Sequence, residues 1–103
     1  MKRQRHKTDL RKAARGKDCA ICLPGICNGD PETTVLAHIR RGHTAGMGQK
    51  PEDIVAVYAC SACHDAIDVR ADSGIPRGEL DGYLLEALCR QLSTYAKEGV
   101  VTW

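Results

Sequence analysis

The side chains of this chain best suited to chemistry are its six cysteines, two of its four histidines and one aspartate. Cys19-Ala-Ile-Cys22 and Cys60-Ser-Ala-Cys63 form two CxxC pairs with 37 residues between them, and Cys27 follows the first pair closely. Two such pairs in a small domain fit a tetrahedral zinc held by thiolates. Cys60 and Cys63 are the firm half of that site; spacing alone leaves Cys19, Cys22 and Cys27 competing for the other half. Six cysteines would also serve three disulfides, as in a small secreted domain. The N-terminus, however, carries basic residues with no apolar run behind them, which does not read as a secretory signal. In a reducing cytosol the expected use of such thiols is metal binding.

His64 follows Cys63 directly, and Asp68 lies four residues on. On a helix these two share a face and offer a nitrogen and an oxygen to one divalent cation. The zinc pair would fix the start of that helix and therefore the place of His64. His38 sits among Leu36, Ala37 and Ile39 in a β-branched stretch. From an adjoining strand its neutral imidazole could take a proton from water beside a metal-bound phosphate, while the metal polarises the phosphoryl oxygen. That is a phosphodiesterase in outline. Asp68 could instead pair only with Arg70 or Arg40, and His43 reads as a surface residue.

The elements that must hold these groups can be read from pattern. A short helix over 9–15, capped by Thr8-Asp9, ends at Gly16. Residues 18–32, with Pro24-Gly25, Asn28-Gly29 and Asp30-Pro31, are turn chemistry and read as a metal-bound loop. Residues 33–40 and 54–59 read as two short strands, separated by a glycine-rich loop over 42–52. A helix follows from Ser61 to about Ala71, and Ser73-Gly-Ile-Pro76 stops it. A longer helix spans roughly 79–97 and ends at Gly99. Leu80, Tyr83, Leu84, Ala87, Leu88, Leu92, Tyr95 and Ala96 predict its buried face, and Cys89 reads as a small buried apolar residue. Gly46-Met47-Gly48 has no strand–GxxxxGK–helix context and is not a phosphate loop.

The formal net charge of +2 hides an asymmetry. Residues 1–17 carry eight Lys or Arg and one acid, whereas the remainder carries seven basic and twelve acidic side chains. A basic arm on a mildly acidic body reads as a nucleic-acid contact, with Arg3, Arg5, Arg11, Lys12 and Arg15 as phosphate ligands and Arg40 and Arg41 beside the first strand as two more. With 103 residues and only 4% aromatics, without Phe, the chain has room for one thin aliphatic core. A structural metal would supply the folding free energy that such a core lacks. No stretch approaches the roughly 20 apolar residues of a membrane span.

Leu36-Ala37-His38-Ile39, followed by Cys60-Ser-Ala-Cys63-His64, resembles the HNH, or His-Me finger, nucleases. The likeness is closer to the small lambdoid-prophage YbcO-like family, whose members are named as nucleases. It is carried by Asp9-Leu-Arg-Lys-Ala-Ala-Arg-Gly16, Pro24-Gly-Ile-Cys-Asn28, Pro31-Glu-Thr33, Leu36-Ala-His-Ile-Arg40, Lys50-Pro51 with Asp53, and Ala59-Cys-Ser-Ala-Cys-His-Asp65 with Ile67-Asp68. The RecA-dependent phage nuclease Ref is a more distant likeness. The resemblance implies an α+β fold with a zinc-clamped ββα core and flanking helices. Charge and pattern divide the chain into a basic arm with a short helix over 1–17 and a single domain over 18–100, which the resemblance makes an HNH-like nuclease domain. It implies a structural zinc on Cys19, Cys27, Cys60 and Cys63, with Cys22 the alternative to Cys27. It also implies His38 as general base and His64 as ligand of a catalytic cation, expected to be Mg²⁺; Asp68 is then its second ligand by spacing. The expected partners are DNA and a recombination protein, in the cytoplasm of a bacterial host and away from membranes. The pattern departs at two places: many HNH enzymes carry a metal ligand where Ala37 stands, and the middle Asn has no match, Asp53 being nearest but about two residues early. These departures favour the rival reading, a non-catalytic zinc module that binds DNA or a recombination protein.

Overall fold

The computed structural model describes residues 7–41, 51–68 and 73–101. Arg3, Arg5, His43, Arg70 and the glycines of the 42–50 loop therefore lie outside the described residues. The elements in order are α1 (Lys7–Ala14), a short 3-10 turn (Pro31–Thr33), β1 (Val35–His38), β2 (Ala56–Ala59), α2 (Ser61–Ile67) and α3 (Arg77–Lys97). This is a small α+β fold. The two strands are shorter than the pattern predicts because the ends of both stretches turn away from the ladder: Pro31 opens the 3-10 turn, and Val55 N–H donates back to Glu52 O at 2.9 Å.

β1 and β2 pair antiparallel, with Leu36 opposite Tyr58 and His38 opposite Ala56. Alternation then divides the side chains between two faces. Ala37, Val57 and Ala59 turn toward one cluster with Ile21, Leu23, Cys60, Cys63, Ile67, Leu80 and Leu84. Leu36, Ala56 and Tyr58 turn toward the other, with Leu10 and Ala14 of α1 and Tyr95 of α3. Ala14, Ala37, Ala56, Ala59 and Ala87 are completely buried, and a buried methyl contributes only about 0.8 kcal/mol. The core is filled, but weakly.

β2 has an outer edge that α3 and the cysteine loop satisfy. Tyr58 N–H donates to Gln91 Oε1 at 2.8 Å, Tyr95 O–H donates to Ala56 O at 3.0 Å, and Ala20 N–H donates to Tyr58 O at 2.7 Å. An unpaired strand edge is thereby closed by two side chains and a loop amide instead of a third strand. Burial pushes the Tyr95 phenol up to about 12, so it remains a donor. The buried stripe of α3 is Leu80, Leu84, Ala87, Gln91 and Tyr95. Gln91 is 1% exposed and Leu92 is 47% exposed, which reverses the expectation that Leu92 packs inward. The edge of β2 needs a carbonyl acceptor, and Gln91, on the stripe between Ala87 and Tyr95, presents one. Cys89 lies on the exposed side, contrary to its expected burial. Gln91→Ala, which orphans the buried Tyr58 amide, should cost about 1–3 kcal/mol in urea unfolding. Leu92→Ala should stay within about 0.5 kcal/mol; equal effects would refute this orientation of α3.

Candidate functional site

The four thiols come together first. The sulfurs of Cys19, Cys27, Cys60 and Cys63 all lie within 4.8 Å of one another, with Cys60 and Cys27 at 3.8 Å. A tetrahedron with metal–sulfur bonds of about 2.3 Å has edges of about 3.8 Å, so the set fits zinc. Backbone amides already aim at the sulfurs: Cys22 N–H donates to Cys19 Sγ and Cys63 N–H to Cys60 Sγ, each at 3.4 Å. Such donors stabilise thiolates and orient ligands. A hydrogen bond from Cys63 holds the Cys19 thiol down to about 4 and pushes Cys63 up, while burial lifts Cys27 to about 11. Four thiolates this close repel one another, and a divalent cation is what lets all of them ionise. Cys22 is the one thiol of the loop left out. It sits at φ 53, is exposed, and its S–H donates to Cys19 O at 2.9 Å. Cys22 makes the turn, and the Leu23–Cys27 turn returns Cys27 to the cluster.

The thiol cluster holds the start of α2. Cys60 is its N-cap. Ser61 is also tied to the preceding loop, its N–H donating to Thr33 Oγ1 at 3.3 Å and its hydroxyl accepting from Asn28 Nδ2 at 3.2 Å. One turn on, His64 Nε2 and Asp68 Oδ2 meet at 3.0 Å, as i, i+4 spacing requires. Arg40 lines the same cleft as Asp68, and Arg70 lies outside the described residues.

His38 ends β1 with its ring only 10% exposed. Its Nε2 lies 2.8 Å from Asp53 Oδ1. A carboxylate only accepts, so Nε2–H is the donor, and in the neutral ring Nδ1 carries the lone pair. Asp53 is buried, and its Oδ2 has no hydrogen-bond partner; Arg11 Nε stands 3.9 Å from that oxygen. This is the contact the sequence did not reveal. Counting along the HNH pattern puts Asp53 about two residues early, but the strand-to-strand loop has no fixed length, and Asp53 meets His38 across it. The signal available was chemical: an acid three residues before an apolar strand, 15 residues from the histidine.

His38, His64 and Asp68 line one open cleft of about 660 Å³, walled on the α1 side by Arg11, Lys12 and Arg15. Glu32, Thr34, Leu36 and Arg40 also line it. α1 is docked there: Leu10 and Ala14 are buried, Gly16 N–H donates to Pro31 O at 3.1 Å, and Lys17 Nζ reaches Glu98 at 2.9 Å. Arg40 faces the cleft, whereas Arg41 donates to Asp81 at 2.9 Å.

Residues 8–100 match the family model described as "Putative nuclease YbcO". The chain belongs to the YbcO family. Two YbcO relatives, "Putative nuclease YbcO" of Escherichia coli (strain K12) and "Putative nuclease ybcO" of Enterobacteria phage 82, are each 50% identical to it over 93 residues, which span 90% of this chain and 96% of the relative. The solved "Structure of a putative bacteriophage protein from Escherichia coli str. K-12 substr. MG1655" superimposes with a TM-score of 0.72 at 46% identity, covering 88% of this chain and all of that one. The fold described above is thus shared with a relative of known structure. Among the described residues no helix is long and apolar enough to cross a membrane.

Proposed function

We propose that this YbcO-family chain is a metal-dependent DNA endonuclease with a His-Me finger core. In this reading β1, β2 and α2 are the ββα unit, the four thiols hold a structural zinc, and His64 with Asp68 hold a catalytic divalent cation, Mg²⁺ by expectation. α1 and the residues before it serve as the DNA-binding arm of a single nuclease domain over 18–100. The observation that carries the reading is the shared cleft: the Asp53-bound His38 and the His64–Asp68 pair face the same space beneath a basic wall. The 3.0 Å between His64 Nε2 and Asp68 Oδ2 is also about the edge length of an octahedron with 2.1 Å bonds, so both atoms can serve one ion.

The chemistry follows from the side chains. His38 Nδ1 takes a proton from water as its oxygen attacks phosphorus, and the P–O bond to the leaving sugar oxygen breaks. Asp53 holds the ring in the tautomer that leaves Nδ1 free to do so. The bound cation would neutralise charge on the phosphoryl oxygen and the leaving alkoxide. Arg11, Lys12, Arg15 and Arg40 would hold the flanking phosphates. The test is nicking of supercoiled plasmid by zinc-loaded protein with Mg²⁺, Mn²⁺ or Ni²⁺ added. We expect nicked circles with a divalent ion and none without. Asp53→Asn, which can turn an N–H toward Nε2, should lower kcat by about 10- to 100-fold at unchanged KM; an unchanged kcat would remove Asp53 from the mechanism.

One observation favours the rival, a zinc module that binds DNA or a recombination protein without cutting. Ala37 is fully buried in the core on the face opposite Leu36, so the position before His38 supplies no ligand. DNA binding without nicking under every metal would support that rival.

A further inference from the structure

We propose that the substrate is duplex DNA, held by its phosphates and not by its bases, along a basic track that crosses the site on both sides of His38. The inference takes the location of the site from the nuclease reading and adds what the site is built to grip. Two clefts meet at His38, Arg40 and Asp68. On one side the wall is Arg11, Lys12 and Arg15 of α1. On the other, a cleft of about 360 Å³ carries Arg41 and Arg77, the first residue of α3. Arg11, Lys12, Arg15, Arg40 and Arg77 are all exposed. Positive charge therefore continues past the catalytic position in both directions, which a mononucleotide would not need and a continuous strand would. The acids facing the same space are Glu32 and Asp68.

The lining is as informative for what it lacks. Single strands are gripped by stacking their bases on aromatic rings, at about 1–3 kcal/mol per base. The chain has three Tyr and one Trp. Tyr58 and Tyr95 are buried and pack edge to face at 5.8 Å, and Tyr83 packs against the core; Trp103 lies outside the described residues. Among the described residues lining either cleft there is no Phe, Tyr or Trp and no Asn or Gln; the rings present are the imidazoles of His38 and His64, which the nuclease reading uses for proton transfer and metal binding. What remains is a phosphate grip, which favours the ligand of higher charge density: duplex carries a charge every 1.7 Å of axis, and one strand alone every 3.4 Å.

The experiment is fluorescence anisotropy with zinc-loaded wild-type protein and no other divalent ion, using two 20-bp duplexes of unrelated sequence and their separated strands, with gels confirming intact DNA. Five phosphate contacts predict a slope of log K against log salt of about −4.5, or roughly a 500-fold loss of affinity between 50 and 200 mM salt. The two duplexes should bind alike, and at least about 10-fold tighter than either strand. Arg15→Ala and Arg77→Ala, on opposite sides of His38, should each flatten the slope by about one; Lys97→Ala, which lines neither cleft, should not. Strands bound as tightly as duplex, a tenfold preference for one sequence, or an Arg77→Ala protein with the wild-type slope would overturn the proposal. Failure of the wild type to nick plasmid would sink the nuclease reading and leave these binding results standing, so the two outcomes separate.

Discussion

His38→Ala protein is expected to bind zinc and DNA as the wild type does and to leave supercoiled plasmid intact. General-base catalysis contributes about 10²–10⁴ in rate, so residual nicking should fall by at least about a hundredfold. The substitution also has a structural side. Asp53 is buried, its Oδ1 is held by the His38 ring, and Oδ2 has no hydrogen-bond partner. Removing the ring takes away the hydrogen-bond donor of a buried carboxylate that has Arg11 Nε 3.9 Å away, a change that should cost about 1–3 kcal/mol. Two further variants therefore belong in the set. His38→Asn restores an N–H donor toward Asp53, and the double variant His38→Ala with Asp53→Asn removes the buried charge. Both should regain stability in thermal melts and neither should regain nicking. A stable His38→Asn protein that cuts DNA at the wild-type rate would take the proton transfer away from His38. A variant set in which activity simply follows stability would give His38 a structural role.

The sequence made contacts legible where they are local and not where they depend on how elements pack. Cys60, Cys63, His64 and Asp68 lie within nine residues, and one helical turn dictates that the last two meet. The choice between Cys22 and Cys27 could not be made from spacing, because it depends on Cys22 adopting a positive φ and so directing its thiol out of the cluster. The face of α3 was misjudged by one residue, Leu92 for Gln91. Hydrophobic periodicity assumes that a helix buries its most apolar side, whereas this helix also closes the edge of β2 and turns a polar acceptor inward. Cys89, two residues from Gln91, falls on the opposite side of the helix and is exposed. The Asp53–His38 contact spans a loop, and a loop's length carries no register. Only the fold could bring an acid at the end of that loop back to a histidine at the end of β1.

Loss of the metal is expected to dismantle more than the thiol cluster. Cys60→Ser should abolish zinc binding and lower or erase the cooperative melt, while Cys22→Ser and Cys89→Ser, both at exposed thiols, should keep one zinc per chain and the wild-type melting temperature. The magnitude follows from the balance of the fold. Structural zinc contributes on the order of 10–16 kcal/mol in small zinc-dependent domains, and a domain's whole stability is about 5–15 kcal/mol; here the completely buried residues are mostly alanines, so little else replaces it. Serine at position 60 is chosen with care. Cys60 caps α2 by accepting from Cys63 N–H, and serine is itself a good cap, so the substitution removes the metal ligand while leaving the helix start its hydrogen-bonding partner. Cys27→Ser decides between the two candidate quartets, since it loses zinc if Cys27 is the ligand and keeps it if Cys22 is. Protons compete for the thiolates, so zinc content should also fall as pH is lowered, and atomic emission of dialysed protein reads all of this directly. Because α2 carries His64 and ends at its C-cap Asp68, a zinc-free chain should fail to nick DNA even with His38 and Asp53 intact, and added Mg²⁺ should not rescue it. A Cys60→Ser protein that is folded, free of zinc and active would separate the cluster from both the fold and the cleft.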